Sequence, residues 1–309
     1  MRYSLFDLHC DTPYEMLRTG QPLTQNSLAV SLERARVFDG YTQVMAHWTD
    51  HTLDDETGWE HFLAMRKNLE TDAAIQDGAA RLVTRISSPP TASATLLLAV
   101  EDARILAGKP ERVDTLYEHG IRILTPLWRG LTCIGGSHDT TEGLTDFGKI
   151  ALDRACRMGM ILDISHASER SADDIFEIAA RHRRPVIASH SNAWSVCPVS
   201  RNLRDRQIDR ILASDGVIGL NLYGAFLRPD GNAVAKDLFP HIDHFLSKGC
   251  TNTLSLGCDM DGCDLPPDLP NLSALPMLAE EMLRHNYSES LIKNIFFQNA
   301  TDFAQKYFY

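Results

Sequence analysis

Residues 5–13 read LFDLHCDTP, an apolar run that stops on a histidine and an aspartate. Side chains alternate along a strand, so His9 and Asp11 face one way and Cys10 the other. One such run would mean little. The same grammar returns further along: TLLLAVED ends its apolar run on Glu101, MILDISHAS on His166, PVIASHSNA on His190 and LSLGCDMDG on Asp259. Several buried strands, each delivering a lone-pair side chain at its C-terminal end, describe the mouth of a parallel barrel.

The rest of the chain fits that frame. Eight short, nearly continuous apolar runs predict strands at Ser4–His9, Thr42–Trp48, Thr95–Glu101, Ile121–Leu127, Met160–His166, Pro185–His190, Val217–Tyr223 and Thr253–Asp259. Helical patterns lie between and after them, at Glu56–Arg85, Asp146–Met158, Ser168–His182, Asp205–Ser214, Ala235–Lys248, Leu275–His285 and Ser288–Tyr307. Strict alternation points to a parallel sheet with right-handed crossovers. The expected class is α/β, a (β/α)8 TIM-like barrel with a metal site at the C-terminal ends of its strands. Residues 1–309 read as a single metallo-dependent hydrolase barrel domain, and Ser87–Pro90 as a loop rather than a boundary. Two irregular stretches, 128–145 and 260–274, fall on the side where barrel enzymes build their sites.

The net charge of −11 argues against a nucleic-acid partner held through phosphates. The first strand starts almost at Met1, which leaves no room for a signal peptide, and no apolar run is long enough to span a bilayer. Seven cysteines without a CxxC pair suggest neither a zinc ribbon nor a disulfide framework. Free thiols in a reducing cytoplasm are the expectation.

Neutral imidazoles and carboxylates suit a divalent ion such as zinc. Two ions about 4 Å apart need a bridging ligand, and a carboxylate has one oxygen for each. Glu101 is the best candidate bridge, with His9 and Asp11 completing one ion and His166 and His190 the other. A hydroxide shared by the ions would be the nucleophile. Asp259 could accept the proton of the attacking water and pass it to the leaving amine. Asp261 shares its parity but lies further out. Arg201, in a loop after the sixth strand, could pair with a substrate carboxylate. Taken singly, these residues have ordinary readings: a structural histidine, a helix cap, a turn aspartate, a surface ion pair. Their common placement at one end of a barrel is what ordinary readings do not explain. Trp128 reads as pocket wall or plain core, and His47 and His138 lie within possible reach of the pocket. The remaining histidines, among them His51 and His241, read as exposed or packing residues.

At these residues the chain resembles the renal, or membrane, dipeptidase family of binuclear zinc metallopeptidases, among the amidohydrolase-like barrels. The resemblance runs through GLTDFGKIALDRACRMGMILDISHAS at 143–168, RPVIASHSNAWSVCPVSRNLRD at 184–205, GLNLYGAFL at 219–227 and LGCDMDG at 256–262. It implies two zinc ions per chain, dipeptide hydrolysis with tolerance for a C-terminal D-residue, and a dimer. It carries over His9, Asp11, Glu101, His166 and His190 as ligands, Arg201 as the substrate-carboxylate contact and Asp259 as the proton-transfer residue. Trp128 stands where well-studied members carry a substrate-binding histidine, and Val199 where the family often has a histidine before the arginine. The rival readings are hydrolysis of an N-acyl amino acid, lactam or lactone on the same metals, and a non-catalytic ligand-binding homologue.

Overall fold

A computed structural model of the protein describes residues 2–86 and 94–308. Its strands are β1 (Leu5–Cys10), β2 (Tyr41–Trp48), β3 (Ala80–Leu82), β4 (Ala94–Glu101), β5 (Ile121–Thr125), β6 (Ile161–Asp163), β7 (Val186–Ile187), β8 (Ile218–Leu220) and β9 (Leu254–Leu256). All pair in parallel, in the order β7-β6-β5-β4-β2-β1-β9-β8. A single bridge between Ala188 and Ile218 joins the two ends of that order. The Ala188 amide donates to the Val217 carbonyl at 3.0 Å, and the Gly219 amide to the Ala188 carbonyl at 2.8 Å. The result is the expected eight-stranded parallel barrel.

Both faces of the strands are buried, which is why they read as continuous apolar runs. Inward residues such as Phe6, Leu8, Val44, Leu97, Ile123 and Ile187 fill the barrel. Phe303 and Phe308, from the C-terminal end of the chain, pack onto that filling. Outward residues such as Leu5, Met45, Leu98 and Leu162 join the helices in a second apolar layer. Ser168 caps the helix Glu169–Arg181 through its side chain, and Asp146–Met158 forms as predicted.

Several expectations need correction. The helix predicted at Glu56–Arg85 ends at Thr71, where Asp72 turns extended and caps the short helix Ala73–Gln76. The chain then forms β3, a ninth strand outside the ring that pairs with the first half of β4. Three residues are too few for a periodicity to show. The helix predicted at Ser288–Tyr307 widens into a π-turn at Asn294–Gln298, where the Ile295 carbonyl accepts from Ser255 Oγ at 3.2 Å. Strand β5 stops before Pro126, which has no amide to give. Strands β6 to β9 are two or three residues long, not six or seven. Beyond Asp163, the amides of Ser165 and Ser189 turn to its Oδ1 at 2.9 and 3.0 Å instead of to a neighbouring strand. Beyond Leu256, the amide of Cys258 turns to the Asp7 carboxylate. The turn expected at Ser87–Pro90 lies outside the described residues. Among the described residues, no helix is long and apolar enough to cross a membrane.

Candidate metal centre

The pairing of β1 with β2 slips between Asp7 and Cys10, where three steps along β1 match two along β2. Such a bulge changes the parity of everything after it. Leu5 and Cys10 both lie in the outer layer, which strict alternation forbids, while Phe6 and Leu8 fill the barrel. The slip is what aims His9 and Asp11 at the barrel mouth. Glu101 needs no such device. Leu97 and Ala99 face inward, so Glu101 at the end of β4 does too.

The two oxygens of Glu101 face different partners. Oε1 lies 3.0 Å from His166 Nε2 and 3.3 Å from His190 Nε2, while Oε2 lies 3.3 Å from His9 Nε2. Asp11 Oδ2 is 3.5 Å from His9 Nε2. The Nε2 atoms of His166 and His190 stand 3.0 Å apart. The other ring nitrogen of each is occupied: His166 Nδ1 by the Trp128 carbonyl at 3.1 Å, His190 Nδ1 by Ser189 Oγ at 2.7 Å. Nδ1–H donation to the Trp128 carbonyl leaves a lone pair on Nε2 of His166, as a metal ligand requires. His9 Nε2, Asp11 Oδ1 and Glu101 Oε1 are buried without any hydrogen bond. Such orphans are rare and costly, and a cation among them would satisfy all three. His9, Glu101 and His190 form one set able to hold an ion, and His9, Asp11 and Asp259 another.

Charge follows the same division. Burial holds His166 below its ordinary range and His190 well below it, which keeps both neutral. Burial also disfavours charge on His9, but Glu101 and Asp11 outweigh it and raise His9 well above its usual range. Burial pushes Asp11 up to about 8, against the pull of His9. Burial favours a proton on Glu101, yet His9 and His166 hold it well below the carboxylate range.

His166 and His190 lie three residues past the ends of β6 and β7, in turns rather than on strands. His166 takes a left-handed φ of 66° and Asp259 one of 61°, conformations that ordinary side chains adopt only when their surroundings impose them. At Gly219 and Gly257 a side-chain carbon would sit 1.9 and 1.8 Å from the Ser189 carbonyl oxygen. Only glycine lets β8 and β9 close against the turn that carries His190.

The other expected residues separate. Asp259 sits over the cluster, with Oδ1 3.9 Å from His9 Nε2 and Oδ2 accepting from Asn221 Nδ2 at 2.9 Å. Asp261 points elsewhere and accepts from Thr12 Oγ1 and the amides of Ala29 and Val30. Arg201 is buried, not a free loop arginine. Its Nη1 donates to Ser191 Oγ at 2.7 Å and Nη2 to the His190 carbonyl at 2.9 Å, while Nε lacks a hydrogen bond. Trp128 lines the cavity above the cluster, as do His138 and His51. His47 is core: its Nδ1 donates to the Ala99 carbonyl at 3.0 Å, and burial pushes it down to about 4. Sequence reasoning missed Asn221, Ser189 and Asp163, which hold Asp259 and His190 in place. Each is a polar residue inside or just past an apolar run, and nothing in the sequence sets it apart from an ordinary turn residue.

Comparison with known proteins follows the same lines. The sequence profile of the membrane dipeptidase family, peptidase family M19, matches residues 1–305. An uncharacterised protein encoded in the pqqA 5′ region of Klebsiella pneumoniae is 30% identical over 65% of this chain and 77% of its own. Dipeptidase 3 of Macaca fascicularis is 27% identical over 64% of this chain, but the match spans only 42% of that protein. A metallopeptidase from Rhodobacter sphaeroides, solved with a phosphinate mimic of the dipeptide L-Ala-D-Ala, has the same fold, with a TM-score of 0.89 at 24% identity over the whole of both chains. The chain belongs to the membrane dipeptidase family of metallopeptidases and, with it, to the peptide-bond hydrolases.

Proposed function

We propose that the whole chain works as one hydrolase barrel that cleaves dipeptides at a site for two divalent ions, zinc by the chemistry of its donors. His9 and Asp11 would hold one ion, His166 and His190 the other, with Glu101 between them. The observation that carries this reading is the division of the Glu101 oxygens, one toward His166 and His190 and one toward His9. Bound there, the ions supply Lewis acidity and a water nucleophile near neutral pH. The chain's own residues do the rest. Asp259 takes up the proton at Oδ1, while Asn221 fixes its other oxygen and so its direction. Its distance from His9 puts that oxygen within reach of a group at the cluster. Ser189 and the Trp128 carbonyl keep His190 and His166 turned inward. Arg201 has a buried, unpartnered Nε–H and a positive charge that suits a substrate carboxylate, although its two Nη atoms already serve the fold and it lines a neighbouring cavity with His138. Trp128 walls the substrate cavity. The dipeptide mimic bound by the Rhodobacter sphaeroides protein supports a small substrate with a D-residue at its C-terminal position. Seven free cysteines fit a reducing, cytoplasmic setting.

The test joins metal analysis to turnover. Two ions per chain and release of free amino acids from L-Ala-L-Ala or L-Ala-D-Ala are expected. One ion, or cleavage of N-acyl amino acids or lactones with no dipeptide turnover, would overturn the reading.

A further inference from the structure

The cavity above the cluster has a volume of about 850 Å³, and the side chains of one wall take no part in the metal and proton chemistry above. Tyr14, Trp48, Trp128 and His51 form that wall. The rings of Tyr14 and Trp48 meet edge to face at 4.8 Å, and those of Trp48 and Trp128 at 5.1 Å and 67°. Two indoles at that angle form a corner rather than a stack. The His51 ring lies 5.2 Å from that of Trp128. Beside His51 is Asp50, whose Oδ1 accepts from the amide and hydroxyl of Thr52, both at 2.8 Å. The Thr52 amide is the main cause that lowers the Asp50 pKa, so the carboxylate keeps its charge.

The wall is fixed, not loose. Arg104, buried three residues beyond Glu101, donates from Nη1 to the Leu53 carbonyl at 2.6 Å and from Nη2 to the Asp50 carbonyl. The loop bearing Asp50 is therefore tied to the strand bearing Glu101. The wall also begins beside the cluster, since the ring of Trp128 lies 6.2 Å from that of His166. A substrate side chain of four or five atoms, starting at the cluster, spans that distance.

We infer that the Tyr14–Trp48–Trp128 corner and Asp50 form a subsite that selects dipeptides with a cationic side chain. The inference rests on the dipeptidase reading and deepens it. The methylene stem of a lysine or arginine lies well along an indole, and its charge is attracted by the ring faces. Asp50 completes the cage at its end. A neutral apolar side chain would desolvate Asp50 without compensation, and an anionic one would meet it directly. Among the described residues, Arg129 is the only lysine or arginine lining the cavity, and it faces Asp139 at 3.9 Å.

Two measurements on the metal-loaded enzyme decide the matter. The first is kcat/KM for Lys-Ala and Ala-Lys, each against its norleucine analogue, which has the same stem without the charge. The second is binding of the same four dipeptides, followed by intrinsic tryptophan fluorescence. Expected is a preference for lysine at one of the two positions of about tenfold or more. The lysine-to-norleucine ratio should fall toward one in Asp50→Asn and by a smaller factor in Trp128→Leu. Turnover without a lysine preference, or a preference that survives both substitutions, overturns the subsite. Absence of turnover on all four, with an Asp50-dependent lysine preference in binding, upholds the subsite and overturns the dipeptidase reading instead.

Discussion

The two sides of the barrel mouth present their histidines by different means. On one side, His9, Asp11 and Glu101 sit at or next to the ends of strands of six and eight residues, and backbone register aims them. On the other, His166 and His190 follow strands of three and two residues, and single hydrogen bonds aim them, to the Trp128 carbonyl and to Ser189 Oγ. Asp163 is the centre of that second arrangement. It accepts from the amides of Ser165 and Ser189 and from the hydroxyls of Thr125 and Ser189, and Ser189 in turn holds His190. Register is a property of the whole sheet and resists a single substitution. A hydrogen-bond network has members that can be removed one at a time.

The largest effect should come from the residue that joins the two sides. Glu101→Ala removes the one carboxylate that faces both sets of histidines. Metal content should fall below one ion per chain and dipeptide turnover to background, whereas His190→Ala should leave one ion bound. Elemental analysis of both purified variants checks this. If Glu101→Ala still carries two ions, the sides are independent and the bridge does not exist.

Asp259 comes next, because it stands over the cluster on the side of His9 and Asp11. Asp259→Asn keeps the shape and the contact with Asn221 but removes the basic oxygen. Both ions should stay, while kcat falls about 10²-fold or more and KM changes much less. Loss of an ion in this variant would make Asp259 a ligand beside His9 and Asp11, which lie close enough for that role.

The contrast between the sides also explains how much the sequence disclosed. A long strand buried on both faces leaves an equally long apolar run, so β2 and β4 were legible to within a residue at each end, and Glu101 with them. The direction of His9 was legible only in part: alternation pairs it with Asp11, but the bulge that turns both inward is marked by no glycine or proline. Networks leave no period. The short strands were overextended because an apolar run does not reveal that its last amides turn to a carboxylate such as Asp163 or Asp7. The histidines beyond those strands, His166 and His190, were legible as lone pairs after apolar runs. Their supports, Ser189 and Asn221, were not, because a buried serine or asparagine looks like any turn residue. The lining role of His51 was hidden for a related reason. Nothing in the HWTDHT segment says which way a loop folds, and here Arg104 decides it.

A subtler substitution should separate the sides by affinity. Asp163→Asn preserves volume but replaces the acceptor Oδ2 by a donor, so the hydroxyls of Thr125 and Ser189 must accept where they donated, and Ser189 must turn its proton away, toward His190 Nδ1. Loss of such support behind a metal-binding histidine typically weakens the ion about 10- to 100-fold. Titration of metal-depleted protein with zinc should show one of two binding steps weakened and the other unchanged. Equal weakening of both steps would mean that the network braces the whole mouth.

The smallest effect tests the same side through pH. His241 is buried and bridges the segment after β7 to the segment after β8: its Nδ1 accepts from the Ala193 amide at 3.1 Å, and its Nε2 donates to the Leu227 carbonyl at 3.2 Å. Only a neutral ring can do both. Burial is the main cause that lowers its pKa to about 4, with His244 lowering it further and the Leu227 carbonyl and Asp237 opposing. Because the folded value lies below the ordinary histidine value of 6.5, the unfolded chain binds the proton more readily. The stability His241 confers is complete above pH 6.5 and is lost as pH falls from there toward 4. His241→Gln keeps an acceptor and a donor but cannot titrate. Urea unfolding of metal-loaded wild type and variant, at intervals between pH 7 and pH 4.5, should give stability curves that converge on the acid side. The wild-type curve should be steeper by up to about 1.4 kcal/mol per pH unit, the slope of one proton. His47 and His138, also pushed down to about 4, contribute equally to both proteins and cancel in the difference. Parallel curves would show that the proton enters elsewhere. Convergence would mean that the side held by side chains carries an acid sensitivity beyond whatever the two sides share through their ligands.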